Sequence, residues 1–258
     1  MHPVALKIGS LTIHWYGIMV LVGVVVGWVT TVHRARRHGF DPDHVTELVP
    51  WIVIGGLAGA RLFFVILFWK EYFADAPLWE IFMINHGGLV FYGGVIGGVI
   101  AGLTLVRKRR LPVWQTADLV VPGVAIGYAL GRIGCFLNGC CFGRPCDLPW
   151  AVRFPDWHAS GGLPVHPVQL YEFGWALLAY FFLEWLYKRR EFEGQVTGAF
   201  ILIYSVCRFG TEMFRGDYPP SKYLLGLTPA QVISIPLFLV GVVVLVIRAR
   251  NAHSQVSQ

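Results

Sequence analysis

Runs of about twenty apolar residues recur along this chain, separated by short clusters of charge, and such a sequence is built for a lipid bilayer. Hydrocarbon about 30 Å thick takes roughly 20 mainly apolar residues per helical crossing, because each helical residue rises about 1.5 Å. The runs fall near 15–33, 48–69, 88–106, 117–137, 168–187, 196–214 and 229–247. The expected architecture is an all-α integral membrane protein of about seven transmembrane helices. Of the 258 residues, 55% are hydrophobic and only 14% charged, which is wrong for a soluble globule. The length predicts one polytopic membrane domain spanning 1–258.

The charges between the runs set an orientation. Arg34, Arg36 and Arg37, then Arg107 to Arg110, then Lys188 to Arg190, then Arg248 and Arg250 all fall on alternate connections. The opposite connections hold Lys7, Lys70, Arg144, Arg153, Arg215 and Lys222, half as many. The positive-inside rule then predicts the N-terminus outside and the C-terminus in the cytoplasm. The net charge of +6 is thereby a topological signal, and no nucleic-acid partner is expected. The first run, Ile18 to Val32, lacks a basic segment before it and has arginines after it, the reverse of a signal peptide. It is expected to stay in the mature protein.

Small residues suit helix packing in lipid. Gly94, Gly98 and Gly102 recur every fourth position, as do Gly123, Gly127 and Gly131, and such stripes let backbones approach closely. The one long connection, near 138–167, lies outside and is rich in Gly, Pro and Trp, as expected of a functional loop or lid. No internal repeat supports an inverted-repeat transporter.

Ionisable groups inside hydrocarbon are costly and need a partner or a purpose. Arg132 and Arg208 lie within about two turns of the outer ends of their runs, and Glu212 follows Arg208 by four residues on the same helical face. A structural ion pair and a binding site both fit that pattern. Arg61, nearer mid-span, suits a structural role. At the outer depth also fall Tyr16, His86, Asn138, His166, Gln169 and Glu172. Singly, a tyrosine there is an interfacial anchor and a histidine a helix cap. Together, guanidinium forks, an imidazole and a carboxylate beside lipid headgroups suit phosphate recognition.

Five cysteines, Cys135, Cys140, Cys141, Cys146 and Cys207, form no even disulfide framework. Their spacing is not a paired zinc pattern, and no metal site is expected.

Six segments in order resemble one family, the bacterial prolipoprotein diacylglyceryl transferases. They are H-W-Y-G at His14–Gly17, H-G-G-L-V-F-Y-G-G at His86–Gly94, G-R-I-G-C-F-L-N-G at Gly131–Gly139, H-P-V-Q-L-Y-E at His166–Glu172, R-F-G-T-E-M-F-R at Arg208–Arg215 and L-T-P-A-Q at Leu227–Gln231. The resemblance implies a seven-helix enzyme of the bacterial inner membrane, with its active site toward the outer leaflet. Such an enzyme moves the diacylglyceryl group of phosphatidylglycerol onto the lipobox cysteine thiol of a prolipoprotein signal peptide, forms a thioether and releases glycerol phosphate. It implies no metal or nucleotide cofactor, and a monomer is expected.

By the same resemblance, Arg132 and Arg208 hold the phosphate and His86 is the preferred general base toward the thiol, with Glu212, at the same depth, the alternative base. Tyr16, Asn138, Tyr204 and Glu212 bind or orient substrates, and Gly139 and Gly143 belong to the signature's backbone. Cys135 and Cys140 stand where many family members carry Asn and Glu, so roles of those two side chains do not transfer. The competing readings are an anionic-lipid binding protein or transporter without covalent chemistry, and an intramembrane protease. The protease lacks both a G-x-S-x-G motif and paired intramembrane aspartates, Asp118 being the only aspartate well inside a run.

Overall fold

A computed structural model describes residues 3–9, 11–74, 76–83, 87–217 and 224–256. It is dominated by seven long helices: α1 (Trp15–Arg37), α2 (Pro42–Leu67), α3 (Phe91–Lys108), α4 (Val113–Asn138), α5 (Val168–Arg189), α6 (Gln195–Glu212) and α7 (Pro229–Val256). Each covers one of the apolar runs. α2 starts six residues before its run because Asp41 caps it, accepting a hydrogen bond from the Asp43 amide at 2.9 Å, and Pro42 pre-sets the first turn. α7 continues past its apolar run into the basic tail. Four helices, α1, α2, α4 and α7, are long and apolar enough to cross a membrane.

The all-α expectation misses two small antiparallel pairs. β1 (Val4–Ile8) and β2 (Leu11–His14) form a hairpin ahead of α1, and β3 (Val152–Arg153) pairs with β4 (Pro164–Val165) inside the long connection. That connection is otherwise irregular and tied down: Gly143 bridges to Arg215 and Pro145 to Val165.

The chain forms two compact units, Met1–Thr31 with Ala117–Gln258, and Val32–Thr116. In the smaller unit α2 packs on α3 through bare backbone. A Cβ on Gly97 would sit 2.9 Å from the Gly59 Cα, and one on Gly59 would sit 2.8 Å from the Gly97 Cα. The tight seam is the Gly93 and Gly97 row rather than the Gly94, Gly98 and Gly102 row, whose Cβ positions have 3.2 Å or more. Just beyond the seam, Arg61 donates to four backbone carbonyls, those of Glu80, Ile81, Gly87 and Gly88. Its guanidinium also lies 5.5 Å from the Phe64 ring and 5.4 Å from the Phe73 ring. It is a structural arginine, holding the segment before α3 in place.

In the larger unit Gly23 and Gly27 of α1 meet Gly127 and Gly123 of α4, where a Cβ on Gly23 would lie 2.8 Å from the Gly127 carbonyl oxygen. Gly131, the third member of that expected stripe, has open space instead. At the other end of α4, buried Asp118 accepts from the Gly194 and Thr197 amides at 2.7 and 2.8 Å and from the Thr197 hydroxyl at 2.7 Å. It thus caps α6 from a neighbouring helix and satisfies amides that have no intrahelical partner. The one intramembrane aspartate therefore has a structural task.

Candidate active site

The C-terminal third of α4, the first half of α5 and the last two turns of α6 bring one charged cluster together inside the larger unit. Its centre is Glu172 on α5. One carboxylate oxygen pairs with the Arg132 guanidinium, and the other lies 2.5 Å from Arg208 Nη1. Arg208 also lies 2.6 Å from Glu212, one helical turn away on α6. The Tyr128 hydroxyl donates to Glu172 at 3.1 Å and accepts from Arg132 Nη2 at 2.8 Å. The Thr211 hydroxyl lies 3.3 Å from the same carboxylate.

Two guanidiniums and two carboxylates sum to zero charge, which is what a low-dielectric site requires of buried ions. Exposure separates the two kinds of partner. The arginine side chains are 13% and 9% exposed, the two glutamates 1% and 0%. The carboxylates are the more deeply buried partners, and the guanidiniums carry what little exposure the cluster keeps. Arg132 spends Nε and Nη2 on Glu172 and Tyr128, so Nη1 is left to donate to a further acceptor. Glu212 pairs with Arg208 by charge alone; neither of its buried oxygens has a directed hydrogen bond among the described residues.

Aromatic rings wall the cluster on its apolar side. Arg132 stacks over Tyr128 at 4.8 Å, and Tyr128, Trp175 and Tyr204 contact one another with centroids 5.3 to 6.0 Å apart. Tyr204 therefore supports the arginine through Tyr128. Tyr16 reaches the same end of α4 because Gly134 leaves its backbone room, a Cβ there lying 3.3 Å from the Tyr16 Cα.

The turn after α4 needs glycine at two of the expected positions. Gly139 has φ +76° and a virtual Cβ 3.0 Å from His158 Nε2, while its carbonyl meets that nitrogen at 2.6 Å. At Gly143 a Cβ would collide with His166 and with the Phe214 carbonyl oxygen, 2.8 Å away. There the amide donates to the His166 carbonyl at 2.9 Å, and the next amide, of Arg144, donates to the Phe214 carbonyl at 2.8 Å. These close crossings stitch the long connection to α5 and α6. Gln169, fully buried, fixes the turn by donating to the Cys140 carbonyl at 2.6 Å.

In that turn the sulfurs of Cys135, Cys140 and Cys141 lie within 4.8 Å of one another, and all five cysteines are free thiols. Counting linear spacing hides this group, because a helix end followed by a tight turn brings positions five and six residues apart together. Hydrogen bonds from Cys135 and Cys140, with the nearby Arg215 and Arg132 charges, hold the Cys141 thiol well below its usual range. Asn138 is the last residue of α4, directly before this turn, and the Cys140 thiol donates back to the Cys135 carbonyl at 3.6 Å.

Of the expected site residues, Arg132, Arg208, Glu212 and, through its ring, Tyr204 are gathered in the cluster. Asn138, Gly139 and Gly143 shape the adjoining turn. His86 lies outside the described residues. The sequence shows the depth of Glu172 but not its role, since its position at the junction of both arginines depends on how three helices pack.

A family model described as prolipoprotein diacylglyceryl transferase matches residues 3–247. Proteins named phosphatidylglycerol--prolipoprotein diacylglyceryl transferase are similar along nearly their whole length. The one from Bordetella parapertussis is 38% identical over 93% of this chain and 92% of its own. That from Synechococcus elongatus is 37% identical over 95% and 86%, and that from Pseudomonas aeruginosa 37% identical over 98% and 96%. With its apolar helices, its buried arginine pair and this extent of shared sequence, the chain belongs to the prolipoprotein diacylglyceryl transferase family.

Proposed function

We propose that this chain transfers the diacylglyceryl group of phosphatidylglycerol to the lipobox cysteine thiol of prolipoproteins. The observation that carries the reading is the pair of forks, Arg132 and Arg208, aligned by one buried carboxylate where α4, α5 and α6 meet, in a chain whose relatives bear that activity in their names.

The thiolate sulfur attacks the glyceryl carbon that carries the phosphate ester. A C–S bond forms, the C–O bond breaks, and the electron pair leaves on the phosphate oxygen as glycerol phosphate. Charge on the phosphate grows from one toward two as the bond breaks, so the arginine donors bind the transition state more strongly than the bound lipid. Glu172 and Glu212 keep the empty site neutral and hold the forks in register. The thiol proton goes to His86, because Glu212 is committed to Arg208. Tyr16, Asn138 and Tyr204 orient the substrates, and Gly139 and Gly143 let the long connection pass close over the site. The chemistry supplied by these side chains needs no cofactor.

In this reading all seven helices cross the bacterial inner membrane as one polytopic domain. The N-terminus and the site face the periplasm, the C-terminus faces the cytoplasm, and the enzyme acts as a monomer. The signal peptide and the lipid both approach from the outer leaflet. The reaction and the competing lipid-binding role part on one measurement. Purified protein with phosphatidylglycerol should release glycerol phosphate only when a lipobox peptide is added. Binding of the lipid with no such release overturns the reading.

A further inference from the structure

The diacylglyceryl-transfer chemistry above makes no use of this chain's own thiols, yet three of them form the most compact group of soft donors among the described residues. We propose that Cys135, Cys140 and Cys141 hold a single soft, thiophilic metal ion, monovalent copper best, at the C-terminal end of α4.

Geometry carries the argument. The three sulfurs lie within 4.8 Å of one another. A metal–thiolate bond of about 2.3 Å puts three sulfurs around one ion roughly 4 Å apart, so closure asks only for small side-chain rotations. Cys135 is fixed on the last turns of α4, while Cys140 and Cys141 follow in the turn. The backbone at Cys141 has φ +64°, a left-handed conformation that a cysteine adopts at a cost of about 1 kcal/mol or more. Gln169 pins the turn between them through the Cys140 carbonyl. These features preorganise the three sulfurs.

Donor type and donor number select the ion. No carboxylate or imidazole belongs to the group, which disfavours hard cations, whereas soft thiolates suit Cu(I). Three donors fill a trigonal Cu(I) shell, while Zn(II) needs a fourth. Three thiolates around a monovalent ion carry two negative charges. The cations that act on Cys141, Arg132 and Arg215, are each paired with a carboxylate as well, Glu172 and Asp217 respectively. Cys146 and Cys207 lie outside the group and serve as internal controls.

The full chain, purified in detergent and reduced without air, is loaded with Cu(I) against a competing chelator. Expected are one copper per chain and protection of Cys140 and Cys141 from alkylation, read by mass spectrometry, while Cys146 and Cys207 still label. Cys135→Ser and Cys141→Ser should each weaken retention at least about tenfold; Cys146→Ser and Cys207→Ser should not. The wild-type protection pattern needs no variant and is read even if a serine variant fails to fold. Copper retained equally by Cys141→Ser, or alkylation of Cys140 and Cys141 unchanged by copper, overturns the proposal.

Discussion

Glu172 shows how much can rest on one buried side chain. It neutralises parts of two guanidiniums on two other helices and accepts from Tyr128. Glu172→Gln would leave the four-residue cluster with net positive charge in a low-dielectric site, and breaking a buried pair in this way costs about 3–5 kcal/mol. The expected outcome is a lower midpoint of thermal unfolding in detergent together with loss of lipidation. An unchanged midpoint would mean that the arginines are held by other groups. Arg132, Arg208 and Glu212 were legible in sequence because ionisable residues in apolar runs are conspicuous. Glu172 was conspicuous too, but its role was not, since no periodicity says which face of α5 meets α4 and α6. The cysteine group was missed for a related reason: its members converge through a left-handed turn at Cys141 that linear spacing does not reveal.

Among the elements, the helices themselves were the most legible part, because apolar run length and flanking charge are local properties. Boundaries moved where capping chemistry overrode hydropathy, as at Asp41 and Pro42. The glycine seams were half legible: four-residue spacing marks a face for close approach, but the face used on α3 is the Gly93 and Gly97 row. Gly97→Leu should therefore disrupt the α2–α3 pair, lowering the yield of folded protein, whereas Gly131→Ala, with nothing within 4 Å of its Cβ position, should be tolerated. Equal yields would place the seam elsewhere. Asp118→Ala should also destabilise, by about 1–3 kcal/mol for each buried amide or hydroxyl left without an acceptor at the start of α6. Thermal unfolding in detergent reads it, and an unchanged midpoint would mean that α6 does not depend on this cap.

For the whole molecule, the distribution of arginine and lysine predicts the C-terminus in the cytoplasm and the long 138–167 connection in the periplasm. A C-terminal fusion to a fluorescent protein that matures only in the cytoplasm should fluoresce; a dark, translocated fusion would invert the orientation and move the site to the other leaflet. The central claim is that the Arg132 and Arg208 forks drive covalent transfer rather than simple lipid binding. It is tested most directly by the mass of a lipobox peptide after incubation with phosphatidylglycerol and the purified chain. The account predicts a gain of one diacylglyceryl group on the cysteine with the wild-type chain, and none with Arg132→Ala or Arg208→Ala chains that insert normally. An unmodified peptide with the folded wild type, or full modification by both arginine variants, would contradict it.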